Sequence, residues 1–178
     1  MNILLIILGF LVGIVALLLL VAGFAEKDYA ISRDILIREN RDNVFDYIRH
    51  LKNQDNYSKW VMVDPDMAKN YRGTDGSPGF VYAWDGNNQA GKGEQEIKSI
   101  KENERIDIEL RFERPFKGIA NANMITQPAP DNNTQVRWTM TGRNPYPMNL
   151  MHMLIKGTLM KDMDASLANL KNILENNK

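Results

Sequence analysis

The run from Ile3 to Phe24, ILLIILGFLVGIVALLLLVAGF, carries no charge and no proline, and it restricts what the whole chain can become. Rising about 1.5 Å per residue, such a helix reaches roughly 33 Å, enough to cross a hydrocarbon core of about 30 Å once and not twice. A cleaved signal peptide is the competing reading, because Gly23-Phe24-Ala25 offers small residues around a cleavage point. Against it, the run exceeds the usual apolar region of roughly 7–15 residues, and no Lys or Arg precedes it. Residues 3–25 are therefore read as an uncleaved transmembrane anchor and 27–178 as one soluble domain. Flanking charge says little about orientation, since only Lys27 stands near the anchor, between Glu26 and Asp28. The common signal-anchor arrangement then places the domain on the extracytoplasmic side of a single-pass membrane protein.

Composition narrows the function of the soluble part. Lys and Arg number 22, as do Asp and Glu, so the formal charge is zero and the basic excess of a nucleic-acid groove is missing. No nucleic-acid partner is expected. The absence of cysteine removes disulfides, thiol catalysis and cysteine-ligated metals. HxxxH, HExxH, GxSxG and phosphate-loop patterns are also missing, so neither a metal nor a cofactor is expected.

From Tyr29 the pattern changes to period two. Tyr29, Ile31, Arg33, Ile35 and Ile37 alternate with Ala30, Ser32, Asp34, Leu36 and Arg38, which predicts a strand with one buried face. Asn40 or Asp42 can cap a short helix beginning near Asn43, with Val44, Phe45, Ile48 and Leu51 at helical spacing. Beyond the Asp64-Pro65 break come strand-length runs at 80–84, 94–100, 105–112, 119–126 and 135–141, separated by Gly-, Asn- and Asp-rich turns. Short strands on hairpin-length links imply an antiparallel sheet. The chain closes with Met148, Met151, Leu154, Ile155, Leu159, Met163, Leu167, Leu170 and Leu174 at spacings of three and four, predicting a long helix from Pro147 to about Glu175.

This order of elements resembles the helix-grip fold of the START-like (SRPBCC) superfamily, which includes the polyketide cyclase/dehydrase-like proteins and the birch pollen allergen relatives. Several stretches carry the resemblance: the opening YAISRDILIRENRDNVFDYI, Tyr57-Ser-Lys-Trp60 before Asp64-Pro65, Gly73-Thr-Asp-Gly76 with Gly79, and Trp84-Asp-Gly86 before Gly91 and Gly93. Arg105 to Phe112 with Pro115, Val136-Arg-Trp138 with Gly142, and the closing LANLKNIL complete it. The resemblance implies an α+β domain whose curved antiparallel sheet wraps a long C-terminal helix, with an apolar cavity between them. In that superfamily the cavity serves lipids, sterols, polyketides and quinones.

Candidate cavity residues follow from inward parity and from the methionine-rich start of the last helix: Tyr82, Trp84, Phe112, Trp138, Met140, Met151, Leu154, Ile155 and Met163. Methionine is flexible and polarizable and adapts to irregular apolar ligands, yet the same stripe also suits plain core packing. Acid–base candidates are few. Tyr82 and Glu94 are the strand residues best placed for such chemistry, while His50 and His152 stand singly in helical segments. The expected function is a membrane-anchored binding module for a hydrophobic small molecule or lipid. A polyketide cyclase-like acid–base enzyme and an interaction domain whose cavity is filled by its own side chains are the alternatives.

Overall fold

The computed structural model describes residues 3–176, with His152 described by its backbone alone. An apolar helix, α1 (Ile3–Phe24), leads directly into β1 (Asp28–Ile37). Three short helices follow: α2 (Arg41–Arg49), α3 (Gln54–Tyr57) and α4 (Lys59–Met62). Then come β2 (Ala68–Arg72), β3 (Val81–Asp85), β4 (Lys92–Lys101), β5 (Arg105–Arg114), β6 (Gly118–Ala129) and β7 (Asn133–Arg143), and finally α5 (Asn149–Asn176).

The strands form one antiparallel sheet of seven in the order β1-β7-β6-β5-β4-β3-β2, a meander whose last strand pairs back with the first. This is the α+β helix-grip architecture. Alternation in β1 falls as expected, with Ile31 and Ile37 buried and Ser32, Asp34 and Leu36 exposed. β2 is the strand that the periodicity does not reveal. It is an edge strand with no fully buried residue, so its sequence carries no alternation to read. α2 starts at Arg41, two residues before the expected Asn43, because Asn40 caps it: its Oδ1 accepts the Asn43 amide at 2.9 Å. α5 starts at Asn149, after a turn that contains Pro147.

The core lies between the concave face of the sheet and the helices. Val44, Phe45 and Ile48 of α2 and Met163, Leu167 and Leu170 of α5 meet Ile97, Ile106, Ile108, Met124, Val136 and Trp138 from the strands. Two polar residues of α5 hold the short helices in place. Ser166 Oγ accepts the Lys59 amide at 2.8 Å at the start of α4, where Ser58 supplies no side-chain cap, and Asn169 Nδ2 donates to the Tyr57 carbonyl at 3.2 Å. These bonds satisfy helix-end groups that would otherwise be orphaned. Arg33 of β1 grips Asp164 of α5 through two bonds of 2.5 and 2.6 Å, and Arg38 reaches Glu175 at 3.0 Å, so α5 runs along β1 in the same direction.

Candidate ligand-binding cavity

A cavity of about 240 Å³ lies between the sheet and the helices. Its sheet wall is Tyr82 and Trp84 of β3, Gln95 of β4, Leu110 and Phe112 of β5 and Met140 of β7. Gln54, Ser58, Trp60 and Val61 form the opposite wall, with Leu159 of α5. Exposure grades from one end to the other: Gln54, Gln95 and Tyr82 are buried at the deep end, while Gln89, Arg114 and Pro115 are exposed at the rim.

Trp84 sets the shape of the wall. Its cross-strand partner is Gly93, where a Cβ would stand 2.9 Å from the indole ring and 2.6 Å from the Arg111 carbonyl oxygen, so only glycine lets the ring lie against β4. The indole Nε1 donates to the Ala90 carbonyl at 3.1 Å, and Phe112 meets the ring edge-to-face at 6.0 Å between centroids. Arg114 bonds Asp85 and the Gly86 carbonyl, which fastens the loop of residues 86–91 across the rim.

The deep end is polar at one point. Gln95 Nε2 donates to Gln54 Oε1 at 2.8 Å and Gln54 Nε2 to Gln95 Oε1 at 3.3 Å. Each amide keeps further donor and acceptor capacity after this exchange. Tyr82 is committed elsewhere: its hydroxyl donates to Asp55 Oδ1 at 2.7 Å, and Asp55 Oδ2 meets Lys69 Nζ at 2.8 Å. Burial first, and the bond to Asp55 second, push its ionisation far above the ordinary tyrosine range, so the phenol is neutral at physiological pH.

Of the residues expected at the cavity, Tyr82, Trp84, Phe112 and Met140 line it together. Trp138 and Met163 are buried in the core instead; Trp138 packs against the cavity-wall residue Trp60, edge-to-face at 5.4 Å. Met151 is half-buried, and Leu154 and Ile155 are exposed near the start of α5, away from the cavity. Glu94 lies on the opposite face of the sheet from Tyr82, because Tyr82 pairs with Gln95 and Glu94 is the next residue along the strand. There Arg72 at 2.6 Å and Arg111 at 2.8 Å bind it; the bond to Arg72 is the main reason its carboxyl sits below the usual range. His50 ends α2 with Nδ1 2.7 Å from the Asp46 carbonyl, outside the cavity. Among the described residues no group of three His, Asp or Glu side chains is placed to hold a metal ion.

The Gln54–Gln95 pair and the helical wall of Trp60 and Val61 were not evident from the sequence. The one available signal was parity: Gln95 stands between Gly93 and Ile97 on the inward side of β4, a polar residue in a core position.

Neither a protein-family model nor a curated protein matches this chain. Solved structures do. Protein MLL2253 from Mesorhizobium loti superposes with a TM-score of 0.63 at 11% identity, covering 84% of this chain and 99% of that one. The Aha1 dimer from Colwellia psychrerythraea gives 0.58 at 15% identity, with 84% and 98% covered. Ara h 8.0201 gives 0.55 at 14% identity, with 80% and 97% covered. At such identity the likeness establishes the fold, and function must be argued from the site.

Proposed function

We propose that this protein is a membrane-anchored binding module that holds a hydrophobic small molecule or a single lipid chain in the cavity between sheet and helices. The observation that carries this is an apolar-walled cavity whose rim lies at the end of the sheet from which α1 departs. β1 begins there at Asp28, paired with Arg143 at the end of β7, and the rim residue Arg114 pairs with Lys92 at the same end of the neighbouring strands. At about 240 Å³ the cavity falls just below the roughly 300–1,000 Å³ of common ligand sites. A flat ring system or one alkyl chain matches that volume; a whole diacyl lipid does not. Trp60, Trp84, Phe112, Leu110 and Met140 supply dispersion contact, and the two glutamine amides offer one hydrogen-bonding point for a carbonyl or hydroxyl head.

α1 is taken as the anchor because it is long and apolar enough to cross a membrane and its side chains are exposed apart from Ala22 near its end. The domain is assigned to the extracytoplasmic face; protease added to sealed cells should digest it if that is right and spare it if the domain is cytoplasmic. An acid–base enzyme is disfavoured by the commitment of Tyr82 to Asp55 and of Glu94 to two arginines on the other face.

The cavity assignment is tested by titrating full-length protein in detergent with a fluorescent polyene fatty acid and with N-phenyl-1-naphthylamine. Saturable, one-to-one binding of either probe that Leu110→Trp abolishes is the expected result. Binding that is non-saturable, or unchanged by that substitution, refutes the site.

A further inference from the structure

α5 behaves as two helices in one. From Leu159 onward it buries one face, with Met163, Leu167 and Leu170 inaccessible, whereas residues 153–158 are exposed in succession on every side. Three of these are large and apolar: Met153, Leu154 and Ile155 are 60, 77 and 40% exposed. A surface helix ordinarily turns such residues to a core. Here no core lies beneath them. Measured from the Asp164–Arg33 pin they lie about 14–17 Å back along α5 at roughly 1.5 Å per residue, level with the first residues of β1, which begins about 17 Å from Arg33 at roughly 3.3 Å per residue.

This end of α5 is nevertheless fixed. Asn149 is fully buried, and its Nδ2 donates to the carbonyls of Ala22 at 2.7 Å and Ala25 at 2.9 Å, which lack intrahelical partners at the end of α1. The Asn144 amide adds a bond to the Lys27 carbonyl at 2.9 Å. Met153 consequently shares a hollow with Val21 and Phe24 of α1. Two further exposed apolar side chains belong to the same end of the domain: Tyr146, just before α5, and Phe116, between β5 and β6.

We propose that this end of the domain is seated in the bilayer interface, with Met153, Leu154 and Ile155 at the headgroup–acyl boundary and the cavity rim turned toward the lipid. This rests on reading α1 as the membrane anchor. The occupant is a lipid surface because the patch adjoins the apolar surface of α1 where that helix ends, Met153 sharing a hollow with Val21, Phe24 and Ala25 and with Glu26 as its one charged residue. Its chemistry also fits an interface. Lys156 follows the apolar triplet and can lay its stem on acyl chains while its ammonium reaches water, and Tyr146 is of the type enriched at membrane–water boundaries. A ligand would then pass between bilayer and cavity without crossing bulk water.

The chain has no cysteine, so single spin labels can be placed without background. Full-length protein carrying Leu154→Cys, Phe116→Cys, Val12→Cys or Lys101→Cys is reconstituted in dioleoylphosphatidylcholine vesicles, and collision with oxygen and with an aqueous nickel chelate is measured. Labels at 154 and 116 should be shielded from nickel and open to oxygen, as the label at 12 is, while the label at 101 collides freely with nickel. Nickel access at 154 and 116 equal to that at 101, with 12 still shielded, overturns the proposal and leaves the anchor intact. Nickel access at 12 as well refutes the anchor itself. A label at 154 closed to both reagents and broadened by a neighbouring label would show a second copy on this surface, which also overturns it.

Discussion

Replacing Tyr82 by Phe removes one atom from the wall of the cavity and separates its structural role from ligand binding. The lost bond is charge-assisted, and such bonds contribute about 1.5–3 kcal/mol. Asp55 retains Lys69, and its side chain is 32% exposed, so water recovers part of the loss. A net destabilisation of about 1–2 kcal/mol is expected. For a protein of this size that lowers the thermal midpoint by roughly 2–8 °C. Thermal and urea unfolding of the full chain in detergent, followed by tryptophan fluorescence, measures it, and a double-mutant cycle with Asp55→Asn isolates the pair. The folded state holds the Tyr82 proton more tightly than the unfolded state does. Its contribution is therefore complete below about pH 10, the unfolded tyrosine value, and declines as pH rises further; the Phe variant should show a shallower alkaline decline. Probe affinity should be unchanged. A variant as stable as the parent, with coupling to Asp55 below about 0.3 kcal/mol, would mean that the hydroxyl is not spent on Asp55.

Gln95→Leu leaves the Gln54 amide buried without its partner, so stability should fall by about 1–3 kcal/mol, and any preference for a carbonyl-headed probe over a plain hydrocarbon should disappear; a retained preference would exclude the amide pair as the recognition point. Gly93→Ala forces the Trp84 ring away from β4 and toward the cavity, so probe affinity should drop and tryptophan emission shift, and unchanged values for both would contradict the packing of that wall. Glu94 and Glu96 have ionisations depressed chiefly by bonds to Arg72 and Arg111 respectively, so their contribution is complete above the unfolded value of about pH 4.3 and is lost as pH falls through their lower folded values. Arg111→Gln should flatten that acid decline in an unfolding series across pH, and an unaltered slope would refute it.

Much of the fold was legible because burial imposes a period on sequence. β1, β5 and β7 each bury one face, and their alternation identified Ile31, Ile108 and Trp138 as inward residues directly. β2 escaped because an edge strand with no buried residue has no such pattern. The cavity was half legible for a related reason. Parity places Tyr82, Trp84, Phe112 and Met140 on the concave face, but it does not say which inward residues pack solidly and which border a gap; Trp138 shares that face and is core, as is Met163 on the facing helix. Helical spacing failed more instructively in α5. It orients Met151, Leu154 and Ile155 about the helix axis and carries no information on whether a core lies beneath that stretch of α5, and Leu154 and Ile155 stand exposed. The glutamine pair joins residues far apart in sequence, and only the fold brings them together.

The most direct test of the binding-module proposal is native mass spectrometry of the full-length protein purified in mild detergent, with extraction and identification of whatever copurifies. A single apolar molecule at one-to-one stoichiometry, of a size suited to about 240 Å³ and lost in Leu110→Trp, is the predicted result. A protein that flies at its bare chain mass under conditions that retain a control lipid–protein complex, and takes up no added alkyl or ring ligand, would contradict it.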